Sequence, residues 1–333
     1  MALPPIDVLL PVHDGLPELT EAVEDVLAQQ TVTLRLIVVH DTHGADRDDG
    51  TGAWLADRAR HDARLCVIPN EGTGLTDALV TGLDAADAPL VSHMEADDRC
   101  PPHRLQELAE ALIGSEACGA TPLAGVVSQV QAFGEVTPGM ERYLRWQNSL
   151  ISGESMHAER FVEIPALHQT GLYHREAIVA AGGYATAGPW PADIEFWFRW
   201  FEAGLPVAKL DRPLYRWRQH GRQSTRSGGD HSRAALRKAR LHALARLHGT
   251  DGSDPKRLRL VATAATFKTW GVALREGPFE LSEPVAWSPG VPPPERPEPG
   301  EVLVAVYGMQ RARDALRAAL PGLAEPDELL FAG

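Results

Sequence analysis

Apolar and polar positions alternate along the first 113 residues in blocks that predict strand and helix in turn. Ile6 to Val12 is a short apolar run that ends in His13-Asp14-Gly15, which reads as a buried strand closed by turn-formers. Leu16 to Gln30 places Leu19, Val23, Val26 and Leu27 at helical spacing. Leu34 to Val39 predicts a second strand, ending at His40-Asp41-Thr42, and Trp54 to Ala63 a second helix. Leu65 to Ile68 is a third strand, and Gly74 to Ala86 a helix with Leu75, Ala78, Leu79, Gly82 and Leu83 on one face. Pro89 to Ser92 is a fourth, and it runs into His93-Met94-Glu95-Ala96-Asp97-Asp98. A helix from Pro102 to Ile113 follows, with its prolines at the start, where they are tolerated.

Repeated strand–helix units predict an α/β fold with a parallel sheet and right-handed crossovers. Ligands of such sheets sit at the carboxyl ends of the strands. Asp14, Asp41, Asp97 and Asp98 all follow strands, so they are expected along one edge. Adjacent carboxylates repel, and a hard divalent cation with oxygen ligands relieves that repulsion; the plainer reading of the pair is a solvated acidic loop. The turn after the first strand is not G-x-G-x-x-G, and no G-x-x-x-x-G-K-[ST] occurs, which argues against a nicotinamide dehydrogenase and a P-loop enzyme. The 13 histidines show no pair at helical zinc-site spacing. A non-catalytic binding module is the rival from another class. Asp97, Asp98 and Asp193, acids able to bind a cation or take up a proton, argue against it.

Seven motifs in order carry a resemblance to a known family. They are Leu9-Leu10-Pro11-Val12-His13-Asp14, Val38-Val39-His40-Asp41, Gly74-Leu75-Thr76-Asp77-Ala78-Leu79, Met94-Glu95-Ala96-Asp97-Asp98, Gly182-Gly183-Tyr184, Pro191-Ala192-Asp193-Ile194-Glu195-Phe196-Trp197 and Trp217-Arg218-Gln219-His220-Gly221. Across about 220 residues the chain resembles the family-two inverting glycosyltransferases with the GT-A fold. The resemblance implies a Rossmann-like mixed sheet flanked by helices and transfer of a hexose from a nucleotide-diphosphate sugar, a UDP-sugar such as UDP-galactose first. It implies that Pro11, Val12 and His13 line the nucleoside pocket, Asp41 accepts from the base, and Asp97 holds the ribose or nucleotide. Asp98 then binds Mn2+ or Mg2+ with His220, and Asp193 is the general base. The plainer reading of Asp193 is an N-cap ahead of a helix from Ile194 to Ala203. Trp190 and Trp197 can floor a sugar or base, or belong to the core. The chain departs from the family pattern at His40, Glu95 and Ala192, where acids are common. It also has Leu79 and Val80 where many members carry Arg-Asn.

Arg142 to Asn148 resembles a segment of the eukaryotic queuosine-tRNA galactosyltransferases. Thr266 to Trp270, Val302 to Val306 and Asp327 to Phe331 resemble their tail. That likeness implies a tRNA acceptor. Net charge is −13, yet Arg199 to Arg259 holds 15 Lys and Arg against five Asp and Glu. Such asymmetry can mark a nucleic-acid face, or an exposed basic helix over His231 to His248 whose arginines only solvate it or pair locally. Arg218, Arg222, Arg226, Arg233, Arg237 and Arg240 are the residues expected on a tRNA stem, with Tyr215 and Trp217 stacking on bases. The competing acceptor is a cell-surface or lipid-linked glycan.

With 333 residues and 44% hydrophobic content the chain can bury a sizeable core. The expected organisation is a catalytic domain over 1–250, a helix and Pro-rich linker over 251–300, and a small strand–helix–strand appendage over 301–333. The appendage has too few elements to fold alone, and Gly308 within it reads as a packing position first and a phosphate-binding one second. Cys66, Cys100 and Cys118 show no metal spacing, and an odd count argues against a disulfide framework. No signal-peptide pattern and no bilayer-length apolar run is visible, so a cytoplasmic protein with no membrane span is expected.

Overall fold

The computed structural model describes residues 3–43, 49–117, 121–221 and 232–333. In chain order the strands are β1 (Ile6–Val12), β2 (Leu34–His40), β3 (Leu65–Pro69), β4 (Leu90–His93), β5 (Gly125–Gly134), β6 (Gly171–His174), β7 (Val207–Gln219), β8 (Arg257–Ala262), β9 (Val285–Ala286), β10 (Glu301–Val306) and β11 (Leu329–Ala332). The helices are α1 (Glu18–Leu27), α2 (Thr51–His61), α3 (Gly74–Asp84), α4 (Arg104–Ala117), α5 (Pro138–Ser149), α6 (Gly153–Glu159), α7 (Arg175–Ala180), α8 (Ala192–Glu202), α9 (Arg233–His248), α10 (Ala264–Arg275) and α11 (Gln310–Ala319). Two units result. One comprises Met1–Gly153, Ala166–Ala187 and Arg199–Ser227, and the other Glu154–Pro165, Gly188–Phe198 and Gly228–Gly333.

The first unit is built on a seven-stranded sheet of order β3-β2-β1-β4-β6-β5-β7. β6 runs antiparallel to both neighbours and the other pairings are parallel. β1 is buried along its whole length, as a central parallel strand must be. The expected mixed, Rossmann-like sheet is therefore present. α1 is shorter than its periodicity predicts. Gln29 leaves the helix and is fully buried, where its Oε1 accepts the Leu105 N–H at the start of α4 and its Nε2 donates to the Pro101 carbonyl at 2.7 Å.

Asp7 anchors the amino end of the sheet. It is 2% exposed, takes a two-pronged hydrogen bond from Arg35 (2.9 and 2.8 Å), and accepts the N–H groups of Asp87 and Ala88. Burial works to raise its pKa, but Arg35 and the two N–H groups outweigh it and hold the carboxyl below the usual range. A depressed acid stabilises the fold above its unfolded value near 4 and loses that contribution as pH falls. Asp7→Asn is therefore expected to cost roughly 1–3 kcal/mol at pH 7 and to flatten the stability profile below pH 5. Urea unfolding at pH 7 and pH 3.5 checks this, and an unchanged midpoint at pH 7 would refute it.

The second unit holds a four-stranded parallel sheet of order β11-β10-β8-β9. The predicted strand–helix–strand is present as β10-α11-β11. β10 pairs over its full length with β8, a strand inside the stretch read as helix and linker. The alternating Arg257-Leu258-Arg259-Leu260 is a strand because its leucines face the core while the two arginines meet Glu298 and Glu301. Within the Pro-rich segment Trp287 is buried, and its carbonyl accepts the Tyr307 hydroxyl at 2.9 Å. Gly308 is exposed, with open space where a Cβ would stand, so it is not a packing position. Among the described residues no helix is long and apolar enough to cross a membrane.

Candidate active site

The carboxyl ends of β1, β2 and β4 in the first unit present the expected residues. Pro11 and Val12 are buried in β1, and His13 follows on the surface, its Nδ1 2.8 Å from the Asp41 carbonyl. Asp14 is exposed and faces the His13 ring at 3.7 Å. Asp41 is buried, and both its oxygens are engaged. Oδ1 meets the N–H and ring of His43, each at 2.9 Å, and Oδ2 accepts the Gly74 N–H at 2.5 Å. Burial would raise this carboxyl, but the His43 and Gly74 N–H groups hold it far below the usual range. Gly74 opens α3 at φ +80°, a conformation that glycine adopts without strain. Asp41 thus joins the β2 and α3 ends.

The acidic motif follows β4. Asp98 has no exposed surface. Its Oδ1 accepts the Arg218 backbone N–H at 2.7 Å, while Oδ2 is buried with no hydrogen-bond partner among the described residues. Burial, then the charges of Asp97 and Glu95, push the carboxyl well above the usual range, and hydrogen bonds from the Arg218 N–H and the Tyr215 side chain relieve only part of this. Asp97 Oδ2 lies 2.9 Å from His220 Nε2. β7 therefore returns Arg218 and His220, some 120 residues later, to the two adjacent acids. Among the described residues no three His, Cys, Asp or Glu side chains already stand as a metal-ligand set. A buried acid oxygen without a partner, beside two further carboxylates and an imidazole, nevertheless fits a hard divalent cation.

Beneath the motif lies a polar layer that sequence reasoning missed. His93 Nδ1 is 2.8 Å from His168 Nε2, and the rings stack at 4.7 Å. Burial pulls both imidazoles below their usual range, His168 down to about 3. Arg104, also fully buried, donates to the Ser92 hydroxyl and to the His93 and Gln169 carbonyls, and lies 5.0 Å over the Tyr215 ring. The one local signal was His93 itself, a histidine in a strand position otherwise apolar. Farther along, Gly182 and Gly183 both take positive φ, and Arg199 donates to both carbonyls. That accounts for the double glycine in the motif.

Asp193 belongs to the second unit. It lies in the first turn of α8, which begins at Ala192, so it is not the N-cap of a helix starting at Ile194. Its half-buried carboxyl is pushed up to about 7 by burial and then by Glu163, against the Ile194 N–H. Trp190 is a core residue. Its indole N–H donates to Glu195, and its ring packs on His242 at 5.4 Å. Trp197 is buried as well.

The residues expected on a tRNA stem divide. Arg240 is 3% exposed and donates to the Phe161 and Val162 carbonyls at 2.7 Å, so it ties two segments together instead of facing solvent. Arg218 is bound into the acidic loop. Tyr215 and Trp217 are buried in the core of the first unit, which removes them as base-stacking platforms. Arg233 is exposed and Arg237 partly so. Arg222 and Arg226 lie outside the described residues.

Residues 7–178 match the model of glycosyl transferase family 2. The chain is 28% identical over 108 residues to the uncharacterized glycosyltransferase EpsJ of Bacillus subtilis, a match covering 32% of this chain and 30% of that protein. It is 26% identical over 204 residues to the amylovoran biosynthesis glycosyltransferase AmsE of Erwinia amylovora, covering 61% and 71%. Among solved structures it resembles residues 1–349 of S. aureus TarS in complex with UDP-GlcNAc, with a TM-score of 0.55, 14% identity and coverage of 74% and 67%. It also resembles the mannosyltransferase PcManGT of Pyrobaculum calidifontis in complex with GDP-Man and Mn2+, with a TM-score of 0.50, 18% identity and coverage of 74% and 63%. These likenesses establish the GT-A-type fold. The matched segment takes in β1 to β6 together with the acidic motif, and the chain belongs to glycosyl transferase family 2.

Proposed function

We propose that this glycosyltransferase moves a hexose, with inversion, from a nucleotide-diphosphate sugar to a glycan hydroxyl, using Mn2+ or Mg2+. The observation that carries this reading is the bare, buried Asp98 oxygen among Asp97, Glu95 and His220. Asp98, Asp97 and His220 would hold the cation, His220 by exchanging its present partner. When bound, the cation offsets charge on the leaving nucleoside diphosphate. Pro11, Val12, His13 and Asp41 face the nucleoside. Leu79 and Val80 bring no charge to the diphosphate, which leaves its neutralisation to the cation and to arginines elsewhere. Asp193 takes the proton of the acceptor hydroxyl as that oxygen attacks the anomeric carbon. A single displacement with one base inverts the configuration.

A UDP-sugar, UDP-galactose first, is the donor we would test. The acceptor reading follows AmsE, whose name places it in amylovoran biosynthesis. The queuosine-tRNA acceptor keeps only Arg233 and Arg237 of its described basic residues at the surface. Calorimetric titration with UDP and GDP, with and without Mn2+, tests the donor site. Binding of one nucleotide that strengthens at least tenfold with Mn2+ is expected, and metal-independent or absent binding would contradict the reading. Mass spectrometry then decides the acceptor. Hexose addition to a lipid-linked or polysaccharide acceptor is expected. Addition to queuosine-containing tRNA would overturn the glycan assignment and leave the transferase reading intact.

A further inference from the structure

The acidic loop does not hold its own shape. Within the motif, the backbone bond from the Asp98 N–H to the Glu95 carbonyl, at 3.3 Å, is long, and the three carboxylates repel one another. The loop is gripped from the end of β7 instead. Arg218, in the last residues of that strand, and His220, just past its end at Gln219, meet Asp98 and Asp97 respectively. His220 meets a side chain. Arg218 does more: its backbone N–H holds Asp98 Oδ1 at 2.7 Å, and its Nε holds the Asp97 carbonyl at 2.6 Å. Its other nitrogen reaches Glu21 on α1, and its guanidinium lies 4.7 Å over the Phe133 ring at the end of β5. Three of these contacts fix the side chain, which is only 21% exposed. A guanidinium bound to a carbonyl, a carboxylate and an aromatic face is committed to geometry, which is a use that lysine cannot reproduce.

We propose that Arg218 is a positioning residue for divalent-cation capture: by fixing the main chain at Asp97 it aims the unpaired Asp98 oxygen into the site. The inference rests on the metal-dependent reading above. Its logic is that of an outer-shell group, which touches no substrate and sets where a ligand oxygen stands. Without the side chain the Asp97 carbonyl loses its donor, and the repelling acids relax apart toward water. The Arg218 N–H remains in any variant except proline, so side-chain replacement isolates the grip on Asp97.

The test measures Mn2+ affinity of the full chain by the electron paramagnetic resonance signal of free Mn2+, with melting temperature beside it. Arg218→Ala is expected to weaken Mn2+ binding about 10- to 100-fold, the usual cost of losing an outer-shell partner, with the metal-free melting temperature within about 4 °C of wild type. Arg218→Lys, which keeps the charge and loses the fork, is expected to fall between the two. Glu21→Ala removes the outer anchor at a half-exposed position and is expected to weaken Mn2+ at least threefold, so the idea can be judged even if Arg218→Ala does not fold. Wild-type Mn2+ affinity in Arg218→Ala overturns the proposal and leaves the metal-dependent reading in place. A loss of affinity matched by a large loss of melting temperature in all three variants also overturns it, as a fold effect. Absence of Mn2+ binding by wild type overturns both.

Discussion

Asp193→Asn is expected to lower glycosyl transfer by about 100-fold or more while leaving donor binding within a few-fold, the signature of removing a general base. The amide is close in shape to the acid and keeps an oxygen for the Ile194 N–H in the first turn of α8. It cannot accept a proton. The wild-type carboxyl is pushed up to about 7 by burial and then by Glu163. A base acts unprotonated, so transfer should rise with pH through about 7 and then level. Glu163→Gln should move that midpoint down. The stability sign runs the other way. A folded pKa raised above the unfolded value near 4 means that this group withdraws stability as pH rises from about 4 to 7. Asp193→Asn should therefore be at least as stable as wild type at pH 8. Near-normal turnover by Asp193→Asn would make the residue a helix-start acid and nothing more.

Asp98→Ala is expected to abolish Mn2+-dependent nucleotide binding, a weakening of more than about 100-fold, in a protein that still folds. Two effects on stability oppose each other. The change deletes the hydrogen bonds from the Arg218 N–H and the Tyr215 side chain, each worth about 1 kcal/mol. It also deletes a buried carboxyl that burial, Asp97 and Glu95 all disfavour in its charged form. Near-cancellation is the outcome, and the melting temperature without metal should stay close to wild type. Unchanged Mn2+-dependent nucleotide binding by folded Asp98→Ala would remove the acidic motif from the site.

What was legible in the sequence was local. Turn-formers close β1, β2 and β4, and the periodicity of α1 to α4 is strong, so the strand ends and their acids follow directly. β6 was not legible, because four residues, Gly171 to His174, carry no signal that they insert antiparallel between β4 and β5. The partners of the acids are also tertiary: His93 finds His168, and Asp98 finds Arg218, across 75 and 120 positions. Other misses were avoidable. Along β7, Tyr215, Trp217 and Gln219 are buried, and the period of two puts them on one face. In α9, Ala235, Ala239, Arg240, Ala243 and Leu244 form the buried stripe, so helical spacing already places Arg240 inside.

The most direct test of metal-dependent, inverting transfer needs no acceptor other than water. Proton NMR can follow the anomer first released when the wild-type protein hydrolyses an α-linked UDP- or GDP-hexose, with Mn2+ and with chelator. The account predicts slow release of the β-anomer with Mn2+ and none with chelator. Release of the α-anomer, or equal cleavage with metal removed, would contradict it.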